Sequence, residues 1–275
     1  MRIIFFGTPD YVVPIVNALH KHFSIVAVVT QPPRPVGRKQ VVTPSPVSEW
    51  AEKNQIPIFD KKPEQIIDEL KKLKADVGIL ESYGEILSSE LITLFPHGII
   101  NIHPSLLPKY RGSSPNQAVL LNGDSATGIT AIKLDSEMDH GPILFQVEKS
   151  VYQNDTFKAL RERLFADSAI TLLEILPQYI AGEIKLRPQD DKKSTYTWKT
   201  DQTKAKAYFD INNPPSVEVL DRMSRAFYPW PNAWTKWNGK IVKLLPEKKV
   251  QIEGKKPVSL EEFLRGYPDF PIKAL

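Results

Sequence analysis

The 275-residue chain contains no cysteine. Disulfides, zinc–thiolate sites and cysteine nucleophiles are therefore excluded, and the composition fits a reducing compartment. Long apolar runs are also missing. The opening MRIIFFGTPD is apolar for only a few residues before it turns, which suits neither a signal peptide nor a membrane span, so a cytoplasmic protein is expected. Glycine is scarce where a dinucleotide site would need it. Gly7-Thr8-Pro9-Asp10 ends the first strand-like run with a single glycine, and a proline and a carboxylate stand where backbone amides would meet a pyrophosphate. That argues against a nicotinamide-dependent reductase. There is no internal repeat and no long low-complexity tract.

What is present alternates. Arg2–Phe6, Ile25–Thr30, Asp76–Leu80 and Gly98–Ile102 are short apolar runs, and Tyr11–His22, Val47–Asn54 and Pro63–Lys74 between them have helical patterns. The alternation predicts an α/β fold, a Rossmann-like and mostly parallel sheet with helices on both faces. Gly128–Leu134 and Pro142–Val147 add two strands, and Asn154 is expected to cap a long helix. The polar, lysine-rich stretch 191–206 reads as a linker between a domain over 1–190 and a small β-rich module over 207–275. Charge is uneven across this division. Residues 1–191 carry 20 Lys+Arg against 23 Asp+Glu, whereas 192–275 carry 16 against 9. A basic tail suits a polyanionic partner, or is simply a solvated lysine-rich surface.

The densest polar signal is Asn101-Ile102-His103-Pro104-Ser105-Leu106-Leu107-Pro108-Lys109-Tyr110-Arg111-Gly112. Asn101 and His103, two apart at a strand end, leave the same face. The carboxyl ends of parallel strands are where ligands bind in open sheets. A second signal, Asp135-Ser136-Glu137-Met138-Asp139-His140-Gly141, lies between two strands. A histidine, an amide and a carboxylate suit attack of a neutral amine on a formyl carbon. His103 takes the amine proton, Asp139 orients the imidazole, and Asn101 donates to the oxygen that gains charge. No metal is required. Taken alone, an N-x-H pair is more often a turn cap and a satisfied buried histidine.

The chain resembles the 10-formyltetrahydrofolate-dependent formyltransferases. The stretches that carry the likeness are GTPDYVVPIV (7–16), TQPPRPVGRK (30–39), TPSPVSEWA (43–51), YGEIL (83–87), NIHPSLLPKYRGSSP (101–115), GDSATGITAIKL (123–134) and MDHGPIL (138–144). The resemblance implies formyl transfer in translation initiation, with 10-formyltetrahydrofolate as donor and initiator methionyl-tRNA as acceptor, by a monomer. It implies catalytic roles for Asn101, His103 and Asp139, and a folate site at Ser105, Leu106, Leu107 and Pro108 with Ile86 and Leu87. It also implies tRNA contacts from Arg34, Gly37, Arg38 and Lys39, although an ordinary surface loop would read the same way. RAFYPWPNAWT (225–235) and VQIEGKK (250–256) resemble the family's OB-like C-terminal domain, which helps hold tRNA.

The chain departs from the family at three points. The segment between Leu245 and Val250 is very short, so a reduced barrel is expected. Glu81-Ser82 precedes Tyr83 where small or apolar residues are usual, and His140 replaces a small residue beside Asp139. Some of Trp230, Trp234 and Trp237 are expected to fill the small core rather than stack on RNA bases. Transfer to an amino sugar carried on a nucleotide is the main competing activity. RNA binding without catalysis and hydrolysis of the formyl donor are the others.

Overall fold

The computed structural model describes every residue except Arg38. In chain order the elements are β1 (Arg2–Gly7), α1 (Val13–His22), β2 (Ser24–Val29), β3 (Arg34–Val36), β4 (Val41–Thr43), α2 (Pro46–Lys53), β5 (Ile58–Phe59) and α3 (Ile67–Lys72). There follow β6 (Val77–Glu81), α4 (Ser89–Ile92), β7 (Ile99–His103), β8 (Arg111–Gly112), α5 (Pro115–Asn122), β9 (Ala126–Lys133), β10 (Ile143–Ser150) and α6 (Phe157–Ile180). The chain ends with β11 (Tyr196–Thr197), α7 (Val217–Ala226), β12 (Ala233–Trp237), β13 (Lys240–Leu245), β14 (Lys249–Ile252), β15 (Val258–Ser259) and α8 (Leu260–Gly266). None of the described helices is long and apolar enough to cross a membrane.

The chain divides into two compact units. The first comprises residues 1–108, 129–147 and 163–193. Its seven-stranded sheet has the order β10-β9-β7-β6-β1-β2-β5. The pairs β1–β2, β1–β6, β2–β5 and β6–β7 are parallel, and β7–β9 is antiparallel. Ile3, Ile4, Phe5 and Phe6 of β1 are wholly buried, as a parallel strand covered on both faces requires. Strand order reverses at β1, which has β2 on one side and β6 on the other. The carboxyl ends of β1 and β6 therefore flank the crevice where such sheets bind ligands.

Two local expectations are corrected. The expected helix over Pro63–Lys74 is a 3₁₀ turn (Pro63–Gln65) followed by the separate helix α3, with Ile66 at φ −119° between them. Ile66 and Ile67 are both buried in one cluster, and a helical step would point these adjacent side chains in different directions. The long helix α6 starts later than Asn154, and Thr156 Oγ1 accepts from Ala159 N at 3.2 Å in the capping manner.

The second unit comprises residues 109–128, 148–162 and 194–275. β8 and β11 form a short parallel pair, and β12–β13–β14–β15 form an antiparallel sheet, the small β-rich module expected at this end. Ser216 and Ser259 cap α7 and α8. The core gathers Phe209, Leu220, Phe227, Val242, Leu244, Val250, Phe263 and Phe270. Trp237 packs edge-on against Phe270, with ring centres 5.3 Å apart, and Trp234 packs at the margin of the same core. Trp230 stays outside that core, at 60% exposure. Phe270 is wholly buried and also meets Phe263, centre to centre at 5.1 Å. Phe270→Ala should cost about 3–5 kcal/mol. A urea unfolding curve followed by tryptophan fluorescence measures this, and a loss below about 1 kcal/mol would contradict the packing described.

Candidate active site

β7 runs into the carboxyl edge of the sheet between β6 and β9. Its register pairs Leu80 with Asn101 on one side, and Asn101 with Ile132 and His103 with Thr130 on the other. Both functional side chains project from the same face and are buried, Asn101 at 6% exposure and His103 at 4%. Asp139 comes to them from the loop between β9 and β10. Asn101 Nδ2 donates to Asp139 Oδ1 at 3.3 Å, and His103 Nδ1 lies 3.5 Å from Asp139 Oδ2. An Nδ1–H facing the carboxylate leaves Nε2 of His103 as the basic nitrogen.

Several contacts hold that loop in place. Asp139 has a left-handed backbone, φ +49°. A Cβ on Gly141 would sit 1.8 Å from the Lys133 carbonyl oxygen, so no other residue fits there. Gln189 Nε2 donates to the carbonyls of both Asp139 and Gly141 at 2.8 Å. His140 Nδ1 is 2.6 Å from Asp135 Oδ2, and its Nε2 is 3.4 Å from Asp191 Oδ2. The hydrogen bond to Asp135 raises the His140 pKa. His140 therefore ties the loop down on both sides of its ring.

Ser105–Pro108 follows β7 directly. Thr130 Oγ1 donates to the Ser105 carbonyl at 2.6 Å and accepts from Leu107 N at 3.2 Å. Gln146 Nε2 donates to the Leu107 carbonyl and to Thr130 Oγ1, both at 2.9 Å. Ser105 and Leu107 are buried, while Leu106 and Pro108 are partly open. The other two residues expected at a ligand differ from each other. Ile86 is 87% exposed, and Leu87 packs against the sheet core. Gln146 and Gln189 do not stand out in the sequence, because each acts through backbone carbonyls far away along the chain. Thr130 and Gly141 lie inside GDSATGITAIKL and MDHGPIL, but neither stretch shows what they contact.

The basic segment is a hairpin. Arg34 pairs with Thr43 and Val36 with Val41, and Gly37 turns at φ +70° with open space around its α-carbon. Arg34, Gly37 and Lys39 are exposed; Arg38 lies outside the described residues. Of the two cations that follow Ser105–Pro108, Arg111 is buried at 1% exposure and Lys109 is exposed.

A formyl transferase model matches residues 1–176, and a model of the formyl transferase C-terminal domain matches residues 203–249. The chain belongs to the formyl transferase family. The methionyl-tRNA formyltransferase of Chloroflexus aggregans is 40% identical over 249 residues, covering 89% of this chain and 79% of that protein. The methionyl-tRNA formyltransferase of Halalkalibacterium halodurans is 38% identical over 272 residues, covering 95% and 84%. Among solved structures, a sugar N-formyltransferase from a Shewanella species superposes with a TM-score of 0.69 at 19% identity, covering 93% of this chain and 99% of that one. A 4-N formyltransferase from Francisella tularensis gives 0.71 at 18% identity, covering 90% and 98%. These two likenesses are of fold.

The carboxyl end of β6 holds a buried acid. Glu81 pairs in register with Gly7, is wholly buried, and neither carboxyl oxygen has a hydrogen-bond partner among the described residues. Burial pushes its pKa well above the usual range. The folded chain therefore keeps a proton that the unfolded chain has lost. Stability from this group is full below about pH 4.5 and is lost as pH rises toward the folded value. Glu81→Gln cannot ionise, so its melting temperature relative to wild type should be higher at pH 8 than at pH 5. A melting difference that is the same at both pH values would mean that Glu81 is already ionised in the fold.

Proposed function

We propose that this formyltransferase transfers the formyl group of 10-formyltetrahydrofolate to the α-amino group of methionyl-initiator tRNA, as a monomer in the cytoplasm. The observation that carries the reading is the convergence of Asn101, His103 and Asp139 at the sheet edge, with the Asp139 carboxylate 3.3 Å from Asn101 Nδ2 and 3.5 Å from His103 Nδ1. Identity of 38–40% to methionyl-tRNA formyltransferases over most of the chain supports the acceptor. In this reading residues 1–190 carry the chemistry and 207–275 hold tRNA, with 191–206 between them.

The residues present fit a folate. Leu106 leaves apolar surface partly open on a backbone that Thr130 and Gln146 hold rigid, a suitable bed for a flat ring, and Ile86 is exposed past the end of the neighbouring strand β6. Ser105, Leu106, Leu107, Pro108, Ile86 and Leu87 would hold it. The bound folate supplies the activated formyl carbon. His103 Nε2 takes the proton that the amine loses on attack and would return it to the folate nitrogen as that nitrogen's bond to the formyl carbon breaks, and Asp139 stabilises the imidazolium in between. Asn101 spends one amide hydrogen on Asp139 and keeps the other for the formyl oxygen as negative charge develops there.

His103→Ala and Asp139→Asn should each lower single-turnover transfer about a hundred- to ten-thousand-fold, and Asn101→Ala about a hundred- to thousandfold, with folate affinity little changed. Near-normal transfer by either of the first two variants would refute the proton path. Offering methionyl-tRNA and an amino-sugar nucleotide side by side tests the acceptor, and preference for the sugar would overturn it.

Arg34, Gly37, Arg38 and Lys39 belong in this reading to the tRNA interface, with the cations on phosphates. Arg34→Ala combined with Lys39→Ala should weaken tRNA binding and flatten its log–log salt slope by about 1.5–2. An unchanged slope would remove the hairpin from the interface.

A further inference from the structure

One ordered aromatic feature of the second unit has no part in the chemistry above. The Tyr196 and Trp198 rings are stacked, with centres 6.0 Å apart and planes inclined by 10°. Each residue is about half exposed, at 48% and 49%, while Thr197 between them is buried. Strand alternation explains this, because β11 turns Thr197 inward against β8 and turns its neighbours outward. Thr197 Oγ1 donates to the Arg111 carbonyl at 3.2 Å and accepts from Ser114 N at 3.1 Å.

The stack is braced at both ends. The Arg111 guanidinium lies 5.9 Å from the Tyr196 ring centre, and its Nη1 donates to the Tyr196 hydroxyl at 3.2 Å. Trp198 N donates to Asp201 Oδ2 at 2.7 Å, and its carbonyl accepts from Ser114 Oγ at 2.9 Å. Gln202 Nε2 in turn donates to Ser114 Oγ at 2.7 Å. An aromatic surface fixed this way loses little conformational entropy when something lies on it.

We propose that the Arg111–Tyr196–Trp198 stack is a platform for an unpaired RNA base, which extends the column of rings. The choice of occupant rests on charge and surroundings. Lys199, Lys204 and Lys206 are exposed on the following segment, and residues 192–275 hold 16 Lys+Arg against 9 Asp+Glu. A flat ring beside cations matches a base beside its phosphate. The flanking Thr195, Lys199 and Thr200 are exposed and polar, a setting that suits a flat ring on a charged chain better than an apolar protein partner. The inference deepens the tRNA reading and rests on it for the natural ligand.

The test measures binding of methionyl-tRNA, an unpaired RNA oligonucleotide and the same oligonucleotide in a duplex, all to the full chain. Trp198→Ala should weaken binding of tRNA and of the unpaired probe about 5- to 100-fold with an unchanged salt slope, because a stack releases no counterions. Trp198→Phe keeps a flat ring and should retain most of the affinity. Wild type should prefer the unpaired probe, and Trp198→Ala should lose that preference. The proposal is overturned by equal affinity of wild type and Trp198→Ala for the unpaired probe. It is equally overturned if Trp198→Phe is as weak as Trp198→Ala, or if wild type binds duplex as tightly as single strand. A wild-type chain that does not formylate methionyl-tRNA would defeat the acceptor assignment instead, and the unpaired-probe result would still decide the platform.

Discussion

Gly141 lies so close to the Lys133 carbonyl that a methyl group in its place would overlap the oxygen at 1.8 Å. That close approach folds the β9–β10 loop back onto its own strand, and the position of Asp139 follows from it. With a bulkier residue the loop must lift, and the carboxylate would leave Asn101 and His103. Gln189 spends both of its amide hydrogens on the same turn, at the Asp139 and Gly141 carbonyls. Electrostatic catalysis depends on groups that are already aimed before charge develops. Here the aim is set by backbone contacts several residues away from the reacting atoms.

The site is unevenly supplied with hydrogen bonds. Thr130 Oγ1 takes part in three, and through it the Ser105 and Leu107 backbone is held as firmly as a strand. Glu81, at the end of β6, has none among the described residues. A carboxyl buried in this way costs stability unless it stays protonated. Strained or unsatisfied groups cluster at functional sites because selection there acts on more than stability. Glu81 lies beside Gly7, at the point where strand order reverses.

The sheet was readable in the sequence because its strands are buried on both faces and therefore uniformly apolar. Asn101 and His103 were readable because a two-residue spacing at a strand end fixes a shared face. Asp139 was visible only with its motif. The supporting contacts were not visible: Gln189 acts 50 residues from Asp139, and Thr130, although inside a recognisable stretch, acts 25 residues from Ser105. Contacts between a side chain and a distant carbonyl leave no periodic trace. The break at Ile66 was hidden for a related reason, because adjacent isoleucines satisfy a helical pattern and a broken one equally well. Trp230 shows the opposite limit. Its hydrophobicity alone suggests core, but the sheet and helices of the module leave 60% of it in solvent. Tyr196 and Trp198 sit in a stretch that reads as polar linker, where two aromatics have no pattern to join.

Different parts of the candidate machinery draw on different physical terms. Asn101 and His103 are buried and Asp139 nearly so, where low dielectric strengthens each hydrogen bond and ionic strength has little reach. The Arg34–Thr43 hairpin is exposed, and as the proposed tRNA contact it would act through charge, which salt weakens. The aromatic stack is exposed as well, yet stacking is nearly blind to salt. A chain that held RNA by charge alone would lose its grip steeply as ionic strength rose, and would hold any polyanion similarly. Adding a stacked base to the phosphate contacts makes part of the affinity independent of salt, and it requires the ligand to offer a base that is not already paired. That requirement selects single-stranded RNA over duplex without reading a sequence.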